Sequence, residues 1–143
     1  MKLVTLFKKS IKMPPEYVPG TCNIGARGRA IRLATGLGII AVFIGFGLLA
    51  LRSVSPVFRL FLFIPFYVGL LTALEGMMSF CVLHASRGTY DLHEPGGTPF
   101  GRSDSKMEVG SEEWKRLDRR KARLMHLEAV LGALVLAGLL ALA

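Results

Sequence analysis

Leu33-Ala-Thr-Gly-Leu-Gly-Ile-Ile-Ala-Val-Phe-Ile-Gly-Phe-Gly-Leu-Leu-Ala-Leu51 is a run of 19 consecutive residues without a charge. A helix rises 1.5 Å per residue, so about 20 apolar residues cross the roughly 30 Å hydrocarbon layer of a bilayer. Two more uncharged runs of 15 residues follow, Leu60–Leu74 and Ala129–Ala143, and after Glu75 the apolar character of the first of these resumes through Leu83. The chain therefore reads as an all-α integral membrane protein with three transmembrane helices. Its 143 residues are 52% apolar and 20% charged, and their blockwise distribution excludes a soluble enzyme with an aqueous surface all round. Two cysteines are too few for a secreted disulfide scaffold.

The net charge of +8 is not spread evenly, since residues 1–32 hold seven Lys/Arg against Glu16 alone. A second basic cluster, Lys115, Arg116, Arg119, Arg120, Lys121 and Arg123, precedes the third span. The connector between spans one and two has only Arg52 and Arg59, and nothing charged follows Ala129. Basic flanks stay in the cytoplasm, which predicts a multi-pass membrane protein with its N-terminus inside and its C-terminus outside. The same clusters are suited to anionic lipid, and no nucleic-acid motif accompanies them.

Along the chain, residues 1–29 read as an amphipathic helix followed by a Pro/Gly linker. Leu3, Leu6, Phe7 and Ile11 recur at helical spacing, with Lys2, Lys8, Lys9 and Lys12 between them to meet the lipid surface. Residues 30–83 read as a two-span hairpin, with Pro56 restarting the second helix and Pro65 expected to kink it. Residues 84–110 are rich in Gly and Pro and read as a cytoplasmic loop without a core of its own. Residues 111–143 read as one long helix, N-capped by Ser111, with Glu112 and Glu113 in its first turn, Glu112 placed to pair with Arg116, and Trp114 as interfacial anchor.

Small residues mark the faces expected to pack. Ala34, Gly38, Ala41 and Gly45 line one side of span one, and Gly69, Ala73 and Gly76 one side of span two, where the two faces are expected to meet. Ala129, Ala133, Ala137 and Ala141 form an i+4 row on span three. Such faces bring helices together because lipid supplies no hydrophobic drive between them.

The run from Cys22-Asn-Ile-Gly25 through Arg29 and Arg32 to Gly36, together with Gly76-Met-Met-Ser-Phe-Cys81, resembles a known family over about residues 21–85. This is the small two-span inner-membrane family of unknown function, also found as the membrane anchor fused to some bacterial rhodaneses. Members carry an Asn-x-Gly, an Arg-x-x-Arg leading into a glycine-bearing span, and a second span ending in Gly-x-x-x-x-Cys. The proline that often follows that cysteine is Val82 here, and the third span lies outside the pattern. The resemblance implies a fold and a compartment, the bacterial inner membrane, and no common activity.

Glu75 stands out as an acid inside an apolar span, a position that costs about 2.5–3.5 kcal/mol on insertion scales and calls for a partner, for which Arg32 is a candidate. Cys22 and Cys81 are possible thiols for sulfur or redox chemistry, and His84 and His126 possible ligands for haem or (bacterio)chlorophyll. The three histidines have no metal-ligand spacing. The leading expectation is a non-catalytic subunit that packs against other transmembrane proteins of a larger complex, photosynthetic or respiratory in kind, with no resident cofactor. A thiol-dependent membrane module and a haem- or pigment-binding subunit are the alternatives.

Overall fold

The computed structural model describes residues 16–51, 53–93 and 106–142. The amphipathic N-terminal segment with Lys2, Lys8, Lys9 and Lys12 lies outside the described residues, as does 94–105.

Three helices are long and apolar enough to cross a membrane. The first, α1, runs Ala26–Leu49 and starts one turn earlier than the sequence pattern suggests. The second is built in pieces: α2 (Pro56–Arg59), a 3-10 turn over Leu60–Leu62, and α3 (Phe63–Met78). Pro56 opens α2 at its first position. Pro65 has no N–H to give to the carbonyl four residues back, and it falls in the first turn of α3, where that bond is not needed. The tighter 3-10 turn upstream takes up the irregularity that was expected as a kink. The third, α5, runs Glu112–Leu142, about 46 Å at 1.5 Å per residue.

The second helix ends at Met78, not Leu83. Ser79 adopts the left-handed conformation (φ 56°), and the N–H groups of Ser79 and Phe80 both bond to the Glu75 carbonyl, closing the helix. The chain then forms a short helix, α4 (Val82–Arg87), and a two-residue antiparallel pairing of β1 (Thr89–Tyr90) with β2 (Met107–Glu108). The segment read as a loop thus buries side chains, with Ala85 and Val109 almost without solvent contact. Phe80 and Ala85 close over Ala122 and Met125 of α5, which gives this end of the bundle a core of its own.

Among the three long apolar helices α3 is central, packing against α1 on one side and α5 on the other, while α1 and α5 barely meet. On α5, Ala129, Ala133 and Ala137 are buried and Ala141 is half-buried, and Leu62 and Phe66 form one core with Ala133, Ala137 and Leu140. On α3, Gly69, Ala73 and Gly76 are buried against α1. The face of α1 that receives them is not Ala34-Gly38-Ala41-Gly45. It is the opposite one, with Gly36 at the contact: a Cβ there would strike the Ala73 nitrogen and lie 2.6 Å from the Gly69 carbonyl oxygen. A Cβ at Gly76 would lie 2.7 Å from the Arg29 carbonyl oxygen. Gly36 and Gly38 are two residues, about 200°, apart on a helix, so only one of the two stripes can face inward. Ala34, Gly38 and Ala41 are exposed, and a Cβ at Gly38 or Gly45 would meet nothing within 4 Å.

Both hairpin connectors have polar closures. At one end Arg59 donates from Nε to the Val54 carbonyl (3.3 Å) and from Nη1 to the Leu140 carbonyl (3.2 Å), placing a cation on the last turn of α5 where the helix dipole favours it. At the other end the Ser111 hydroxyl accepts the Trp114 N–H at 3.2 Å. Glu112 pairs with Lys115 (2.8 Å) and reaches Arg119 (3.8 Å) in place of the expected Arg116.

Candidate functional site

The residues that carry chemistry gather where α1 begins, α3 ends and α4 crosses over α5. Arg32 and Glu75 are the buried pair at its base, with Nε to Oε2 at 3.2 Å and both side chains almost fully enclosed. The second carboxylate oxygen of Glu75 accepts the Val82 N–H at 2.9 Å. One acid therefore neutralises the cation of α1 and also caps the start of α4, which has no side-chain N-cap. A buried charge pair is tolerated when its remaining lone pairs are occupied in this way.

Asn23 closes the site from above. Its amide donates to the Cys81 carbonyl (3.0 Å) and accepts the Cys81 N–H (2.6 Å), while its own backbone takes the Ser79 carbonyl and the Asp91 N–H. Gly25, two residues on, passes so close to Leu92 that a Cβ would overlap the Leu92 backbone. The Asn-x-Gly, the second arginine of Arg-x-x-Arg and the Gly-x-x-x-x-Cys quoted from the sequence thus converge on one node.

A second polar hub was not legible as a site. Asp118 of α5 is fully buried, accepting the Tyr17 hydroxyl at 3.0 Å and the Gly20 N–H at 2.7 Å. Gly20 has φ +70° within the turn Val18-Pro19-Gly20-Thr21, closed by Thr21 N–H to Val18 C=O at 3.0 Å. Tyr17 stacks on Tyr90 with centroids 4.3 Å apart and lies 6.0 Å from Trp114, whose ring is half-exposed. The signal available in the sequence was periodic: Asp118, Ala122, Met125, Ala129 and Ala133 follow one helical stripe, so the acid continues the buried alanine row.

Two cavities flank the node. One, of about 250 Å³, is lined by Tyr67, Leu71, Thr72, Glu75, Cys81 and Val82. The other, of about 460 Å³, lies between α4 and α5 and presents Arg116, Arg119, Arg123, Ser86 and His126 with Val82. Val82 belongs to both, and so does the contact between their far walls, where the Tyr67 hydroxyl and His126 Nδ1 are 2.6 Å apart.

The two cysteines carry free thiols. Burial, reinforced by the Glu75 carboxylate, pushes the Cys81 thiol up to about 11, so it is protonated at neutral pH and a weak nucleophile. Cys22 is half-buried, directs its thiol to the Ile24 carbonyl at 3.5 Å, and is also shifted upward by burial. His84 is buried beside Thr89, with Nδ1 3.0 Å from the threonine hydroxyl, and burial together with the Arg32 charge pushes its imidazole down to about 4. His84 lines neither cavity, while His126 lines the larger, so the structure does not bring the two imidazoles to a common ligand. Among the described residues no three His, Cys, Asp or Glu side chains are grouped to hold a metal ion. Comparison with protein-family models, curated proteins and solved structures finds no match to this chain.

Proposed function

We propose that this chain is a non-catalytic subunit of a larger membrane complex, photosynthetic or respiratory in kind, that stabilises the assembly by packing the outer face of α1 against a partner helix. The observation that carries this reading is the division of small residues. Gly36, Gly69, Ala73, Gly76 and the alanines of α5 are consumed in internal contacts, while Ala34, Gly38, Ala41 and Gly45 form a second stripe on α1 that none of the described residues packs against. Small residues facing lipid gain nothing there, whereas against another helix they permit close backbone approach. The basic residues before α1 and at the start of α5 support an inner-membrane orientation with the N-terminus cytoplasmic and the C-terminus outside.

The test is purification in mild detergent followed by native mass measurement, with a photo-crosslinking residue at Ala41. Co-purification with a membrane partner that crosslinks through Ala41, and loss of that partner in a Gly38→Leu/Gly45→Leu variant that still folds, is the expected result. Recovery of the wild-type chain only as a free 15.6 kDa monomer overturns the reading.

The thiol-module alternative draws on one observation, that Cys81 and Glu75 line the same 250 Å³ cavity. It requires Cys81 to react, so a folded chain in which Cys81 resists alkylation at neutral pH would remove it.

A further inference from the structure

The 460 Å³ cavity between α4 and α5 is walled by three guanidinium-bearing residues at positions 116, 119 and 123, spaced three and four apart and therefore on one face of α5. Its volume falls within the range of small-molecule sites, about 300–1,000 Å³. Among the described residues no Asp or Glu lines it. Glu112, outside the cavity, pairs with Lys115 at 2.8 Å and more loosely with Arg119 at 3.8 Å. Three like charges converging on one hollow repel one another, and an anion bound between them removes that repulsion. On the opposite wall Ser86 gives its hydroxyl proton to the Leu83 carbonyl at 2.9 Å, so its oxygen can accept from an arginine and does not itself hold the anion.

The position along α5 narrows the anion's chemistry. Arg123 is the last basic residue of the helix, and the uncharged run begins six residues later at Ala129, about 9 Å along the axis. That is the level at which a membrane helix passes from headgroups into hydrocarbon. At Val82 the cationic cavity abuts the 250 Å³ cavity, whose lining includes Val68, Leu71 and Leu83 of the apolar surface. A charged hollow beside an apolar one at that depth matches a molecule with an anionic head and a hydrocarbon tail.

We infer that Arg116, Arg119 and Arg123 form a binding site for a phosphate-ester anion, supplied by the headgroup of an anionic phospholipid or by a soluble phosphate ester. Arginine forks match phosphate oxygens in pairs, so three on one face hold a phosphodiester in a defined orientation. His126, fixed by Tyr67, forms the membrane-side end of the same cavity. The site needs no protein partner, so it stands or falls separately from the proposed packing of α1.

The experiment is native mass spectrometry of the full chain in detergent, titrated with phosphatidylglycerol, with phosphatidylcholine of the same acyl chains, and with glycerol phosphate. Wild type is expected to bind one phosphatidylglycerol in preference to phosphatidylcholine. R116Q/R119Q/R123Q is expected to lose that binding about a hundredfold, the equivalent of about 1 kcal/mol for each arginine. R27Q/K106Q/R120Q removes the same charge from exposed positions outside the cavity and is expected to keep it. No loss in the first variant, or equal loss in both, overturns the site. Displacement of phosphatidylglycerol by glycerol phosphate at comparable concentration identifies a soluble ester as the source, and resistance to it identifies the lipid. Thermal melting of each variant in lipid-free detergent shows that the fold is retained, and R119Q alone, expected to lose about fivefold on the same basis, serves if the triple variant does not fold.

Discussion

Asn23 and Cys81, 58 residues apart, exchange two hydrogen bonds as if they were partners in a ladder, the asparagine side chain supplying both the donor and the acceptor. The pairing holds the segment before α1 against the segment after α3 at a place where both backbones are buried and have no water to turn to. Replacing Asn23 by Ala leaves the Cys81 N–H unsatisfied, at about 1–3 kcal/mol, and takes away one of the two donors to the Cys81 carbonyl, which keeps the Ala85 N–H. Thermal melting in detergent should therefore fall steeply for Asn23→Ala. Asn23→Asp, which keeps the acceptor and loses the donor, should also be destabilised, by adding an unpaired charge.

The Arg32–Glu75 pair is expected to show strong coupling. Removing either charge alone strands the other in a buried site, at about 3–5 kcal/mol. Glu75→Gln keeps an oxygen for the Val82 N–H, so Arg32→Gln/Glu75→Gln should be less destabilised than the sum of the two single changes. A double-mutant cycle on unfolding free energy measures this, and an additive result would show that the two side chains do not depend on each other.

Gly36→Ala and Gly38→Ala should differ sharply although they are two residues apart. The first places a methyl group against the Ala73 backbone and forces α1 away from α3, and overpacking of this kind costs about 1–3 kcal/mol. The second meets open space and should leave the melting temperature of the isolated chain unchanged or slightly raised, because alanine favours a helix over glycine.

His84 makes stability depend on acid. Its folded-state pKa of about 4 is below the ordinary value of 6.5, so the folded chain favours the neutral ring. That contribution is complete above pH 6.5 and is lost as pH falls toward 4, when the unfolded chain takes up the proton first. The shift corresponds to at most about 3 kcal/mol. Asp91, which opposes the shift, and Arg32, Lys106 and Arg87, which reinforce it, surround the ring. Melting temperatures measured from pH 7.5 to 4.5 should decline in wild type and decline less in His84→Gln.

Much of this architecture could be read from charge and periodicity. Uncharged runs show where three helices long and apolar enough to cross a membrane lie, Ser111 and the two glutamates after it mark where the last one starts, and a lone acid at position 75 asks for the cation at position 32. These are local matters, settled by the cost of a bare charge or backbone group in hydrocarbon. On span one the fuller small-residue stripe, Ala34-Gly38-Ala41-Gly45, is the outer one, while the inner face mixes Gly36 and Gly47 with Ile40 and Phe43, so residue size alone points to the wrong side. Arg32 points to the right one, because it lies one turn before Gly36 on the same face and must point at Glu75, so the Gly36 stripe is the one turned inward.

What only the tertiary structure decided is everything built at the cytoplasm-facing end of the proposed topology. Which carbonyls Asn23 meets, why the second helix stops at Ser79, and how Asp118 ties down Tyr17 and Gly20 depend on segments far apart in the chain arriving together. The same holds for the arginine-walled cavity, since its opposite wall comes from α4, a helix hidden within a stretch that reads as loop. Hydropathy follows from the residues in order along the chain. A pocket is made by residues that are neighbours only after folding, when the chain's backbone groups have found their partners.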